Sequence, residues 1–115
     1  MPMQAEQLKE RINRIEECAD EAKRAVQMGS VPPELKQSVD QMHQQARQAK
    51  QEANSQQAQV GQDGLKQQVM QMEQTGDKAM QACRSSGGNI DQQTQQAVQR
   101  AHDEISSLKK QLQMQ

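Results

Sequence analysis

Two histidines and two cysteines are the groups of this chain best suited to chemistry near neutral pH, as bases, metal ligands or nucleophiles. Folding the first half about a connector near position 30 brings Cys18 level with His43. Glu16 then lies about two residues, or roughly 3 Å, away in height. A second copy of the pattern puts Glu73 and His102 in the same layer. Two Glu and two His in one layer of a helical bundle are half of a dinuclear iron site, which takes a Glu from each of two helices and Glu-x-x-His from the other two. The set falls short of that requirement. The second helix offers Asp40-x-x-His43 and the fourth only Gln99-x-x-His102, so one bridging carboxylate becomes an Asp and the other a weakly binding Gln. His43, His102, Glu16 and Glu73 also stand beside the apolar seam and not on it. The expectation is no metal and no other cofactor, with these four as partly exposed flank residues that shield the core and pair with neighbouring charges. A metal-binding bundle using His43, His102, Glu16, Glu73 and Asp40 is the alternative.

Eight methionines, among them Met70, Met72 and Met80, raise a soft-metal version of that alternative, in which thioether and imidazole hold Cu(I). Met42 and Met72 fall on core positions, and flexible core filling accounts for them more simply. A Met-lined groove for a partner helix lies between the two readings. A Cys18–Cys83 disulfide is not expected: repeat equivalence separates the two by about 12 Å in height, beyond the roughly 7 Å Cα limit. Cys18 beside His43 has the elements of an activated nucleophile, but no oxyanion donor, strand turn or third orienting group accompanies it, so an enzyme is not expected. Gly87-Gly88 lacks the lysine and strand of a phosphate cradle and reads as a helix stop.

These side chains ride on what reads as a repeated hairpin. Shifting residues 8–26 by 57 superposes Leu8, Lys9, Glu16, Asp20, Ala22 and Ala25 on Leu65, Lys66, Glu73, Asp77, Ala79 and Ala82. After a connector two residues longer, Gln37, Val39, His43 and Lys50 fall on Gln96, Val98, His102 and Lys109. A single amphipathic hairpin cannot bury its own apolar stripe, so two copies predict one pseudo-symmetric domain over 1–115, with repeats at 4–58 and 61–113.

The apolar residues alternate steps of three and four, the narrow a/d seam of a coiled-coil-like bundle. The four stripes are Leu8, Ile12, Ile15, Ala19, Ala22, Val26; Leu35, Val39, Met42, Ala46, Ala49, Ala53; Leu65, Val69, Met72, Gly76, Ala79, Cys83; and Thr94, Val98, Ala101, Ile105, Leu108, Leu112. Helices are predicted at 4–28, 33–59, 62–86 and 90–113. Gly29 is expected in the left-handed conformation after the first, Pro32-Pro33 opens the second, and Asn89 with Gln92 caps the fourth. Between Asn54 and Gly64 the heptad phase is lost and Gly61 and Gly64 weaken a helix, which favours a break and an all-α, antiparallel up-down four-helix bundle. The alternative is a central helix of about 50 residues, roughly 75 Å long, in a three-helix rod that must dimerise.

Composition narrows the function. The absence of Phe, Tyr and Trp argues against a β fold and against a stacking site for a base or flavin. The 26 glutamines read as neutral helix faces, since Gln is a good helix former. Fourteen basic against fifteen acidic residues leave no basic stripe for nucleic acid. No apolar run approaches a membrane span, and Met1–Glu10 lacks a basic start followed by an apolar stretch, so a cytoplasmic protein with reduced cysteines is expected. Many core layers are Ala or Gly and bury little area, which leaves room for a protein partner or self-association. The function expected is that of a small non-enzymatic interaction or structural module.

Overall fold

The computed structural model describes residues 5–29, 31–54, 62–85 and 90–113. They form four helices: α1 (Ala5–Met28), α2 (Pro33–Asn54), α3 (Gln62–Ser85) and α4 (Gln92–Gln113). α1 packs on α2, α2 on α3, α3 on α4 and α4 back on α1. This ring of neighbours is the antiparallel up-down four-helix bundle. The long dimension of the molecule is 43 Å, the length of one bundle, and α2 lies alongside α3 instead of continuing into it. The three-helix rod is therefore not the fold. Residues 55–61, where the expected break falls, lie outside the described residues.

The heptad seam is the core. Every residue of the four stripes is buried, because an a/d stripe on each of four helices faces the common axis. Hairpin register sorts the seam into layers of unlike size. Beside the 54–62 connector the layers hold Leu8, Ile12 and Ile15 from α1 with Ile105, Leu108 and Leu112 from α4. At the same heights α2 contributes only Ala46, Ala49 and Ala53. The large side chains of α4 thus fill the space that α2 leaves diagonally across the core, as close packing requires. In the middle layer the relation reverses: Met42 of α2 is large and Gly76 of α3 has no side chain, and a Cβ built on Gly76 would lie 3.7 Å from Met42 Sδ.

Helix ends depart from expectation in two places. Gly29 donates its N–H to the Ala25 carbonyl at 3.1 Å, an ordinary helical bond, and its φ lies outside the left-handed region; the predicted left-handed stop is replaced by continuation of the last turn. α4 is capped by Asp91 and not by the Asn89–Gln92 pair. The Asp91 carbonyl accepts from Gln95 N–H at 3.1 Å, and its carboxylate accepts from the Thr94 N–H and hydroxyl. Asp91 is therefore the N-cap and Thr94 the third helical residue; Asn89 and Ser86-Gly87-Gly88 lie outside the described residues. The predicted end of α2 at 59 lies outside the described residues, which carry this helix as far as Asn54. Pro33 opens α2 as expected, with the Pro32 carbonyl accepting from Lys36 N–H at 3.2 Å.

Candidate functional site

Each candidate side chain spans two helices of one hairpin. His43 on α2 reaches α1, where its Nε2 stands 3.5 Å from Asp20 Oδ1. His102 on α4 reaches α3 in the same way, with Nε2 2.6 Å from Asp77 Oδ1. Glu16 lies 4.0 Å from Lys50 Nζ, and Glu73 lies 2.7 Å from Lys109 Nζ while also accepting from the Ser106 hydroxyl at 3.2 Å. Asp20 and Glu16 shifted by 57, and His43 and Lys50 shifted by 59, give the partners in the second hairpin. The same two contacts, His to Asp and Lys to Glu, therefore latch both hairpins at equivalent heights.

The two Glu and two His do not converge, because each Glu is held by a Lys on its partner helix and each His by an Asp. Asp40 is occupied too, with Lys23 Nζ at 3.3 Å. Among the described residues no three of His, Cys, Asp and Glu are gathered as a metal site. Asp20 and Asp77, the actual partners of the histidines, are absent from the candidate set. The signal for them lies in the repeat: His43 and Asp20 recur together as His102 and Asp77.

Burial separates the two histidines. Glu16, Glu73 and His102 are partly exposed flank residues. His43 is not: it is 6% exposed, packed between α2 and α1 beside Asp20. Burial pushes the His43 pKa below the ordinary imidazole value, and the nearby Lys23 and, less strongly, Arg47 act in the same direction; Asp20 and Glu16 oppose them. The lowered pKa favours the neutral ring at pH 7, packed beside Asp20.

Both cysteines are free and buried. Burial raises the Cys18 thiol pKa first, and Glu104 and Glu21 raise it further against the opposing Arg100. Glu104 and Arg100 belong to α4, so Cys18 faces the α1–α4 side while His43 packs on the α1–α2 side. The pairing of Cys18 with His43 is thus not realised. Burial raises the Cys83 thiol as well. A raised thiol pKa means a smaller thiolate fraction, which is the reverse of nucleophile activation.

The methionines divide along the seam. Met42 and Met72 are fully buried core residues, whereas Met28 is 89% exposed and Met70 only partly covered. Sequence reasoning left three further buried residues off the seam, Thr75, Ala82 and Ile90. Thr75 occupies the position equivalent to Cys18 and donates its hydroxyl to the Gln71 carbonyl at 3.1 Å, so the polar group is satisfied within its own helix.

Contacts between the two hairpins are fewer in charge and richer in neutral groups. Arg11 Nη1 and Nη2 donate to Gln111 Oε1 at 3.0 Å and Ser107 Oγ at 2.9 Å across α1 and α4. At the equivalent place between α3 and α2, Gln68 donates to Glu52. Arg100 lies 3.4 Å from Glu21. Comparison of the chain with models of protein families, with curated proteins and with solved structures returns no match.

Proposed function

We propose that the chain is a non-enzymatic helical-bundle module, built by duplication of one helical hairpin, that acts through contacts with another protein or as a structural element. The observation that carries this reading is the use made of its four neutral-pH groups. His43, His102, Cys18 and Cys83 are all of the His and Cys the sequence contains, and each is packed within a helix–helix contact. His43 is buried with the neutral ring favoured, and both thiols are buried and shifted away from thiolate.

Duplication is supported by the recurrence of both latches, since chance matches in a Gln-rich sequence carry no reason to pair across the same helices. A protein partner in place of nucleic acid is supported by the fate of the basic residues: Lys23, Lys50, Arg24, Lys109 and Arg100 all face carboxylates. Two free thiols fit a reducing, cytoplasmic setting. No helix of the described residues is long and apolar enough to cross a membrane.

The test separates chemistry from contact. A chain carrying Cys18→Ala, Cys83→Ala and His102→Gln, shown by circular dichroism to remain folded, is returned to a host strain that lacks the native protein. It is expected to restore the growth or stress phenotype of that strain as fully as the native chain. A folded triple variant that restores nothing would establish that one of these groups does chemistry.

A further inference from the structure

We propose that the groove between α1 and α4, at the end of the bundle that holds Met28, docks an amphipathic helix of another protein. An apolar side chain of that helix sits on the groove floor and its carboxylates meet the two arginines of the groove. The proposal rests on the reading of the chain as an interaction module; the triple variant tests that reading separately, so failure here removes only this groove as the contact surface. The groove holds about 370 Å³. Half-buried Ala25 and Ala97 form its floor, one from each helix, with the exposed Met28 at one end and the exposed Arg24 and Arg100 at its sides.

The bundle carries its own control. The equivalent groove between α2 and α3, reached by the same shifts of 57 and 59, is nearly the same size at about 350 Å³, so the fold asks the same of both. Its chemistry differs. Ser85 stands in place of Met28, Ser38 in place of Ala97, Gln81 in place of Arg24 and Glu34 in place of Gln93. The second groove is thus polar, with Lys78 against Glu34, whereas the first has an apolar floor and two arginines against Glu21 alone. Folding does not call for this difference, since Met28 is 89% exposed and buries little of itself within the chain.

Charge and backbone chemistry select the occupant. Arg24 meets Asp20 at 3.1 Å and Arg100 meets Glu21 at 3.4 Å, but the two arginine side chains are 75% and 63% exposed. Such pairs are worth little in water, and each guanidinium has five N–H donors, so both can receive a further carboxylate. A carboxylate delivered beside apolar surface that covers Met28 is paired in a drier setting and held more strongly. A basic partner would instead meet two like charges. The sides of the groove are helices and not a sheet edge, so an extended peptide would leave its main-chain groups unpaired over the alanine floor; a helix satisfies its own. From Glu21 to Met28 the groove runs for about 10 Å, or two helical turns, which admits apolar residues spaced i and i+4.

The experiment pans a displayed library of random peptides of about 16 residues, four helical turns, against the full chain. In parallel it pans a Met28→Ser, Arg24→Gln, Arg100→Gln variant, which carries the residues of the second groove at these places. All three side chains are exposed, so the variant is expected to match the native chain in circular dichroism and melting temperature. Peptides enriched on the native chain over the variant are expected to carry apolar residues at helical spacing with Asp or Glu beside them. They should shift the amide resonances of Ala25, Met28 and Ala97 and not those of Ser38 and Ser85. Their affinity should fall at least about tenfold on the variant, and equally when their acids are changed to Lys. No sequence enriched over the variant, enrichment of basic or proline-rich extended peptides, or resonance shifts at the second groove or another face would each overturn the proposal.

Discussion

The His43 imidazole is buried between α1 and α2 with Asp20 Oδ1 3.5 Å from its Nε2 and the Lys23 and Arg47 cations nearby. Its folded-state pKa lies below the ordinary 6.5, so the unfolded chain binds a proton at a higher pH than the folded one. Stability is therefore complete above pH 6.5 and is lost as pH falls through that value toward the folded pKa. The midpoint of urea unfolding should drop between pH 7.5 and pH 5.5, and His43→Gln should flatten that part of the profile. An unchanged slope in His43→Gln would assign the pH dependence elsewhere.

A second prediction concerns which face of α4 is inside. Ala101 is fully buried in the narrow middle layer, whereas Gln44 on α2 is exposed. Ala101→Asp adds volume and an unpaired carboxylate to a dry seam and should cost roughly 3 kcal/mol or more. Gln44→Asp should change stability by under about 0.5 kcal/mol. Chemical denaturation of the two variants checks both, and similar losses at the two sites would mean that the helix faces are wrongly assigned.

Gly76 is a place where the middle layer is tuned. A Cβ there would lie 3.1 Å from His102 Cδ2 and 3.7 Å from Met42 Sδ. Alanine removes a helix penalty of about 1 kcal/mol, and the partly exposed His102 ring can tilt outward by a few tenths of an ångström. Gly76→Ala should thus raise the melting temperature slightly and shift the His102 ring resonances by NMR. Gly76→Val cannot be relieved in that way and should destabilise by about 1–3 kcal/mol. A destabilised Gly76→Ala would show that His102 and Met42 are fixed in place.

The seam was legible because it is written in one periodic signal: each of Leu8, Val39, Met72 and Ile105 is where steps of three and four put it, and each is buried. The flanks were not legible on the same terms. His43 and His102 occupy equivalent flank positions, yet one is buried and the other partly exposed, a difference that residue type and spacing do not carry. The α4 cap was misplaced by two residues, since Asn89 and Asp91 are both good caps by type and only backbone geometry chooses between them. Glu16 and Glu73 carried a correct hint of pairing with neighbouring charges, but which charge depends on the hairpin's exact stagger, and the stagger selects Lys50 and Lys109.

Metal content is a direct check on the candidate ligands. Glu16 and Lys50, Glu73 and Lys109, and Asp40 and Lys23 face one another, so binding a cation would mean displacing an ammonium from each carboxylate and gathering groups from separate hairpin faces. Protein purified without a histidine tag should hold less than about 0.1 equivalent of iron, zinc or copper by mass spectrometry of the metals, since a site that lacks converging ligands does not retain them. One tightly held equivalent, lost in His43→Ala and His102→Ala, would instead establish a metal-binding bundle.

The last prediction follows from the unequal sizes in the seam. Ordering a hairpin of about 55 residues costs roughly 1.5 kcal/mol per residue, more than one open stripe returns. Residues 1–58 alone must leave Ala46, Ala49 and Ala53 without the leucines and isoleucine of α4, and residues 59–115 alone must expose Ile105, Leu108 and Leu112. Each fragment should be largely unfolded by circular dichroism at micromolar concentration, or associate weakly with itself. Mixed in equal amounts they should regain helix and form a 1:1 complex, with the Arg11 to Gln111 and Gln68 to Glu52 contacts restored at its margin. The His–Asp and Lys–Glu latches lie within single fragments, so they alone cannot drive the gain. A Leu108→Ala substitution in the second fragment should therefore weaken the complex by about 2–5 kcal/mol, as expected for opening a cavity opposite an alanine. Fragments that fold separately, or a complex indifferent to Leu108→Ala, would show that the seam between hairpins is not what holds this bundle together.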